Sequence, residues 1–156
     1  MELFTSTFEN KVDRKGRVSV PAKYRAILDA RGEPIILTRS LTLPCLEGMS
    51  LDRMNKYADA IDSMDAFSEE AEMLQMIIAS AQEMRPDSEG RIVLPEDFLS
   101  HADISDATTF IGIGRSFQLW NPQAYQSREN KSRQAARDGK MPKLILNPRP
   151  RSGDGA

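Results

Sequence analysis

Asp13-Arg14-Lys15-Gly16-Arg17-Val18-Ser19-Val20-Pro21-Ala22-Lys23-Tyr24 returns as Asp87-Ser88-Glu89-Gly90-Arg91-Ile92-Val93-Leu94-Pro95-Glu96-Asp97-Phe98, 74 residues later. Asp13/Asp87, Gly16/Gly90, Arg17/Arg91 and Pro21/Pro95 are identical, and Val18/Ile92, Val20/Leu94 and Tyr24/Phe98 agree in apolar kind. Two copies are too few for a solenoid. They describe a duplicated unit whose halves pack on each other.

Each copy has a physical reading. The aspartate opens a tight turn, because its carboxylate can accept downstream backbone N–H groups. Gly16 and Gly90 supply a positive φ. Val18 and Val20, like Ile92 and Leu94, alternate inward on a short strand. Pro21 and Pro95 hold the preceding residue extended and suit the first position of a helix, predicting helices over 21–31 and 95–102. Val20 and Leu94 are poor N-caps, so those helices need tertiary support.

Outward from this stretch, 34–39 and 41–47 read as a strand pair, as do 108–114 and 116–121. Ile35-Ile36-Leu37-Thr38-Arg39 echoes Ile111-Gly112-Ile113-Gly114-Arg115 at an offset of 76, as though a loop had changed length. Residues 50–80 read as two helices broken near Ser63-Met64-Asp65, the second placing Phe67, Ala71, Leu74, Ile77 and Ile78 at helical spacing. A last helix runs over 122–137. The proline- and glycine-bearing segment 138–156 reads as a mobile tail. The fold class is α+β, with two tandem βαββα-type repeats over 1–64 and 65–137.

The 156 residues are 40% hydrophobic and 28% charged, which argues against global disorder. No apolar run approaches the roughly 18 residues of a membrane span. The first residues show no basic region followed by an apolar one, so no secretory signal is expected. Cys45 is the sole cysteine and His101 the sole histidine. An internal disulfide and a Cys/His zinc site are thereby excluded, and a reducing cytosol fits. No metal or cofactor is expected. The net charge of −2 hides a strong segregation: residues 10–25 carry +5, 51–85 carry −5, 86–127 carry −4 and 128–156 carry +5. A basic patch on an acidic body fits a focused anion site better than a general nucleic-acid coat.

The candidate site is the first turn and its flanks: Lys11, Arg14, Lys15, Arg17, Lys23 and Arg25. Arginine can reach two guanine acceptors at once and lysine can hold phosphates. The second copy is an internal control. There Arg14-Lys15 becomes Ser88-Glu89 and Ala22-Lys23 becomes Glu96-Asp97. The shared Asp13, Gly16, Pro21, Asp87, Gly90, Arg91 and Pro95 read as scaffold, and the difference between copies reads as function. The plainer alternative makes Asp13–Arg17 and Asp87–Arg91 turn-stabilising pairs only.

An enzyme is the weakest reading. His101 reads as a helix-end residue without a nucleophile partner, and Cys45 reads as core. Glu69, Glu70 and Glu72 read as a solvated helix face, and Met73, Met76 and Met84 as packing material. Gly112-Ile113-Gly114-Arg115 lacks the Gly-Lys-Ser/Thr close of a phosphate loop.

With its paired Asp-x-x-x-Arg elements, Asp13 to Arg17 and Asp87 to Arg91, the chain resembles the MraZ family of bacterial transcriptional regulators over residues 1–137. The Cys45-Leu46 and Leu119-Trp120 strand positions belong to the same resemblance. It implies an AbrB-like swapped-hairpin β-barrel with peripheral helices, of the AbrB/SpoVT-like superfamily. It also implies a homo-oligomeric ring, commonly octameric, with double-stranded promoter DNA as partner. Short direct repeats upstream of a cell-division and cell-wall operon would be bound by a repressor of its own genes, in the cytoplasm and associated with the nucleoid. Neither a membrane nor a small-molecule ligand is implied. The reading from a different class is a ring-forming interaction scaffold or antitoxin-like partner. A scaffold has no reason to charge only one of two equivalent turns.

Overall fold

The computed structural model describes residues 2–146, as a body reaching Tyr125 and a second unit from Gln126. The expected tail falls beyond the described residues from 147 onward. The first half of the body comprises strand β1 (Thr7–Lys11), β2 (Arg17–Ser19), helix α1 (Ala22–Asp29), β3 (Ile35–Arg39), β4 (Leu46–Met49) and α2 (Leu51–Asp62). Helix α3 (Glu69–Ser80) follows. The second half repeats the order as β5 (Gln82–Met84), β6 (Arg91–Val93), α4 (Glu96–Ala102), β7 (Ala107–Gly112), β8 (Phe117–Trp120) and α5 (Pro122–Ala135). Each repeat is therefore ββαββα, one strand more than the βαββα pattern.

Six strands form one sheet in the order β1-β7-β8-β4-β3-β5, and β2 pairs with β6 in a separate two-stranded ribbon. All these pairings are antiparallel. The leading strand of each half pairs with the other half: β1 lies on β7, and β5 on β3. The expected closed barrel is not formed among the described residues, because β1 and β5 are the two ends of an open sheet and the ribbon has only two members.

The registers locate a pseudo-twofold axis. In the ribbon Val18 faces Ile92, its own counterpart. At the sheet centre Glu47 faces Gln118, with Leu46 on Leu119 and Gly48 on Phe117. Ser50 and Asn121 cap the following helices through their side-chain oxygens, which accept from Arg53 N and Ala124 N. Glu47 and Gln118, three residues before these caps, are thus equivalent, and the axis passes between them. The ladders also correct the second echo. Phe8 pairs with Phe110 and Gln82 with Leu37. Phe8 and Gln82 are equivalent, so Leu37 corresponds to Phe110, an offset of 73 rather than 76. Similar residue types had matched in the wrong register.

Strands β3 and β7 are nearly continuous buried runs because both faces of the sheet are covered. One face meets the main core, where Val18, Val20, Tyr24, Leu37 and Leu46 mingle with Ile92, Leu94, Phe98, Phe110, Phe117 and Leu119. On the other face Ile36, Met49 and Met54 pack with Tyr57, Ile78 and Ala81, while Cys45, Ile111 and Trp120 pack with Ala124 and Tyr125. Tyr24 is the aromatic hub: its ring centroid lies 4.9 Å from Phe117, 5.4 Å from Phe4 and 5.6 Å from Phe8. Its hydroxyl donates to Ser6 O at 2.7 Å, and burial pushes that hydroxyl's pKa up to about 12.

Three local expectations need correction. The strand predicted over 41–47 begins only at Leu46. Ser40 Oγ accepts the Leu43 N–H at 3.1 Å, closing a local turn, and Pro44 has no N–H for a ladder. Phe67 is 97% exposed, since Ser68 caps α3 one residue beyond it. Met73 and Met76 are exposed too, and only Met84 packs against the main core.

A half-chain would lose the partner of every strand that crosses the axis. Residues 1–64 alone should show no cooperative thermal transition by circular dichroism and poor amide dispersion by NMR. The body as a whole should unfold in one step.

Candidate nucleic-acid interface

The two turns are built by the same bonds. Asp13 Oδ1 accepts the N–H groups of Lys15 and Arg17, both at 2.9 Å, while Oδ2 accepts Arg17 Nε at 2.6 Å. Asp87 Oδ1 accepts from Glu89 N at 2.9 Å and Arg91 N at 3.0 Å, and Oδ2 takes Arg91 Nε at 3.2 Å. Gly16 and Gly90, with φ of 81° and 79°, donate back to Asp13 O and Asp87 O. Each turn then reaches across the axis: Leu94 N donates to Gly16 O at 2.8 Å, and Val20 N donates to Gly90 O at 2.9 Å. Backbone donation, first from Arg17 and from Arg91, holds the Asp13 and Asp87 carboxyls below the ordinary aspartate range. Pro21 and Pro95 stand at the N-cap rather than inside their helices, and their carbonyls accept the first helical N–H groups.

Scaffold bonds match, but the tips differ. Arg14 and Lys15 are exposed, and among the described residues neither side chain has a partner. Opposite them in the repeat are Ser88, uncharged, and Glu89, whose Oε2 lies 3.4 Å from Arg91 Nη2. One turn therefore presents two uncommitted cations, and its equivalent folds its acid back onto its own arginine. The ribbon is antiparallel, so the two turns lie at its opposite ends.

The remaining predicted residues are placed as follows. Lys11 is exposed at the end of β1, and Arg17 is half-exposed on Asp13. Lys23 is exposed, with Nζ 3.2 Å from Ser6 Oγ. Arg25 differs, being half-buried with Nε donating to Val20 O at 3.1 Å. Its guanidinium covers Gly90 so closely that a Cβ there would lie 2.7 Å from Arg25 Cζ. On the other turn Leu99, the counterpart of Arg25, covers Gly16. Sequence reasoning missed Asn10, whose Nδ2 donates to Ser19 O at 2.7 Å and ties β1 to the ribbon. It also missed Ser6, held at φ 74° beneath Tyr24 and Lys23.

A cleft of about 720 Å³ borders the outward side of the ribbon. Its lining pairs Lys11, Arg17 and Arg91 with Glu9, Asp13 and Asp106, so it offers an anion no net charge. His101 Nε2 lies 3.2 Å from Leu43 O. Cys45 is fully buried. Among the described residues no three His, Cys, Asp or Glu side chains converge as a metal site, and no helix is long and apolar enough to cross a membrane.

Comparison with protein families matches residues 3–77 and again 77–145 to the family described as "MraZ protein, putative antitoxin-like". The chain belongs to the MraZ family. The double match agrees with the doubled turn. Relatives named "Transcriptional regulator MraZ" include that of Gluconobacter oxydans, 41% identical over 142 residues, 88% of this chain and 87% of the relative. That of Rhodospirillum rubrum is 42% identical over 144 residues, 89% and 93% of the two chains. That of Pelagibacter ubique is 38% identical over 136 residues, 86% and 88%.

Two predictions test the turns. Gly16→Ala should destabilise more than Gly90→Ala in urea unfolding. Both take on the roughly 1–2 kcal/mol of a left-handed residue, but a Cβ on Gly16 would meet the fixed Leu94 O at 2.7 Å, whereas on Gly90 the nearest atoms are the end of the Arg25 side chain. The lowered Asp13 and Asp87 values make their stabilisation complete above the unfolded aspartate pKa of about 3.9, and lost as pH falls through the folded values. An Asp13→Asn/Asp87→Asn variant should therefore lose less stability than the parent over that acid range, measured by urea titration across pH.

Proposed function

We propose that this chain is a sequence-specific DNA-binding transcriptional regulator that reads promoter DNA through the turn Asp13–Arg17. The observation that carries this reading is the contrast between two turns with one scaffold. Arg14 and Lys15 are uncommitted on the first, and the second is self-neutralised by Glu89. A purely structural turn would not need the difference, whereas a base-edge and phosphate reader requires free donors at its tip. The relatives' shared name supports the same function.

In this reading residues 1–64 form the DNA-facing half, 65–137 their pseudo-twofold partner and 138–156 a basic tail. Arg14 and Lys15 meet bases and phosphate. Arg17 is pre-oriented on Asp13, Lys11 and Lys23 flank on the phosphate side, and Arg25 adds charge while its Nε stays on Val20. One turn offers too small a surface for a specific interface of ordinary size. Several protomers on a ring, commonly an octamer, would add their turns on successive short direct repeats and gain by avidity. The resulting protein is a cytoplasmic repressor of its own cell-division and cell-wall operon, not an enzyme.

The decisive experiment is an affinity titration with the DNA upstream of the protein's own gene. Arg14→Ala/Lys15→Ala should lose about 1–3 kcal/mol per base contact, with the oligomer intact by light scattering, and Glu89→Ala should bind as the parent does. Undiminished affinity of the double variant would refute the assignment. Failure of the parent to bind any duplex would favour the scaffold or antitoxin-like reading.

A further inference from the structure

From the C-terminal unit we infer a second DNA element in this protein: the basic end of α5 and the segment after it grip phosphates without reading sequence. The inference rests on the DNA-binding reading above and extends it to a part of the chain away from the two turns. Residues 126–146 carry six bases (Arg128, Lys131, Arg133, Arg137, Lys140 and Lys143) and two acids. No residue of α5 is buried, and its sequence from Gln126 shows no apolar stripe. A helical stretch that is polar all round answers to some demand other than core packing. Arg133 lies in the last turn of α5, with Glu129 3.6 Å from its Nε, and Arg137 and Lys140 follow in the turn Ala136–Lys140 beyond the helix. Within that turn Gly139, at φ 87°, breaks the helical path between Arg137 and Lys140.

A helix C-terminus already favours cations, so two of these bases would have a local role. That role leaves Lys143 unexplained, since it lies beyond the helix in an exposed stretch without secondary structure. The acidic body supplies the complementary reason. Residues 51–127 carry −9 in total, a field that opposes approach to DNA. Bases that release counterions from phosphate offset that repulsion and raise affinity for every sequence alike. The chemistry that fits is the sugar–phosphate backbone of duplex DNA, with no base contact.

The test uses the full chain and two duplexes, the region upstream of its own gene and a shuffled sequence of equal length. Binding is titrated across salt for the parent, for Arg137→Gln/Lys140→Gln/Lys143→Gln, and for Arg31→Gln/Lys56→Gln, which removes charge from the body instead. Glutamine keeps helix propensity close to that of the bases it replaces, and far-UV circular dichroism checks this. The triple variant should bind both duplexes about tenfold or more weakly near physiological salt, with a salt slope lower by about one per lost phosphate contact. Its preference for the upstream region should be unchanged, and the body variant should keep the parent's slope. An unchanged slope in the triple variant, or an equal fall in the body variant, overturns the inference while leaving specific binding by the turn intact. If the parent does not prefer its upstream region but the triple variant still loses slope, the phosphate grip stands and the sequence-reading proposal fails.

Discussion

Two backbone hydrogen bonds across the pseudo-twofold axis, Leu94 N–H to Gly16 O and Val20 N–H to Gly90 O, hold the rest of the body in place. Strands β2 and β6 have three residues each and no other sheet to join. A ribbon so short is marginal in water on its own. It persists because each turn offers its glycine carbonyl to the other repeat at a point where Val20 and Leu94 are buried. An unpaired buried N–H there would carry its full desolvation penalty, about 1–3 kcal/mol. The requirement propagates outward. Glycine is needed so that the carbonyl can approach, aspartate is needed to close the turn behind it, and proline then starts the helix that brings Tyr24 or Phe98 into the core.

The symmetry is one of backbone, and the packing has diverged around it. Leu37 stands where Phe110 stands in the other half, Gly48 where Leu119 stands, and Leu46 where Phe117 stands. The aromatic rings gather about Tyr24, and Gly48 is the void that admits the Phe117 ring, against which any Cβ would collide. Volume is conserved across the axis rather than position by position, as close-packed interiors demand. The same divergence covers Gly16 with Leu99 and Gly90 with Arg25. The charged member thus lies on the turn whose tip carries Glu89, and the apolar member lies beside the basic tip.

Much of this was legible because the determining interactions are local. Asp to Arg spans four residues, Gly supplies its own φ, and Val18/Val20 alternate within one strand. The helix break near Ser63–Asp65 was legible for the same reason, through Asp65 and Ser68. What failed depended on distant partners. The exchange of β1 and β5 between halves leaves no trace in periodicity, and the false offset of 76 arose because apolar type alone cannot set a register. Phe67 and Met76 looked like core only because helical spacing marks a face without saying whether anything covers it. At the site, the charge contrast between Arg14-Lys15 and Ser88-Glu89 could be read directly. The commitment of Arg25 to the far turn could not, since Gly90 reaches it only through the fold.

The β2–β6 ribbon joins two equivalent elements through a single covalent chain. Had the same pairing been made between separate molecules, its occupancy would follow their concentration, and a scarce protein would spend part of its time with the ribbon open. Here the partner is always present at the effective concentration set by the connecting residues. The turn keeps its shape at any dilution, so the number of copies in a cell can fall without opening the ribbon. Fusion also releases the two halves from being identical, and the two tips differ in charge.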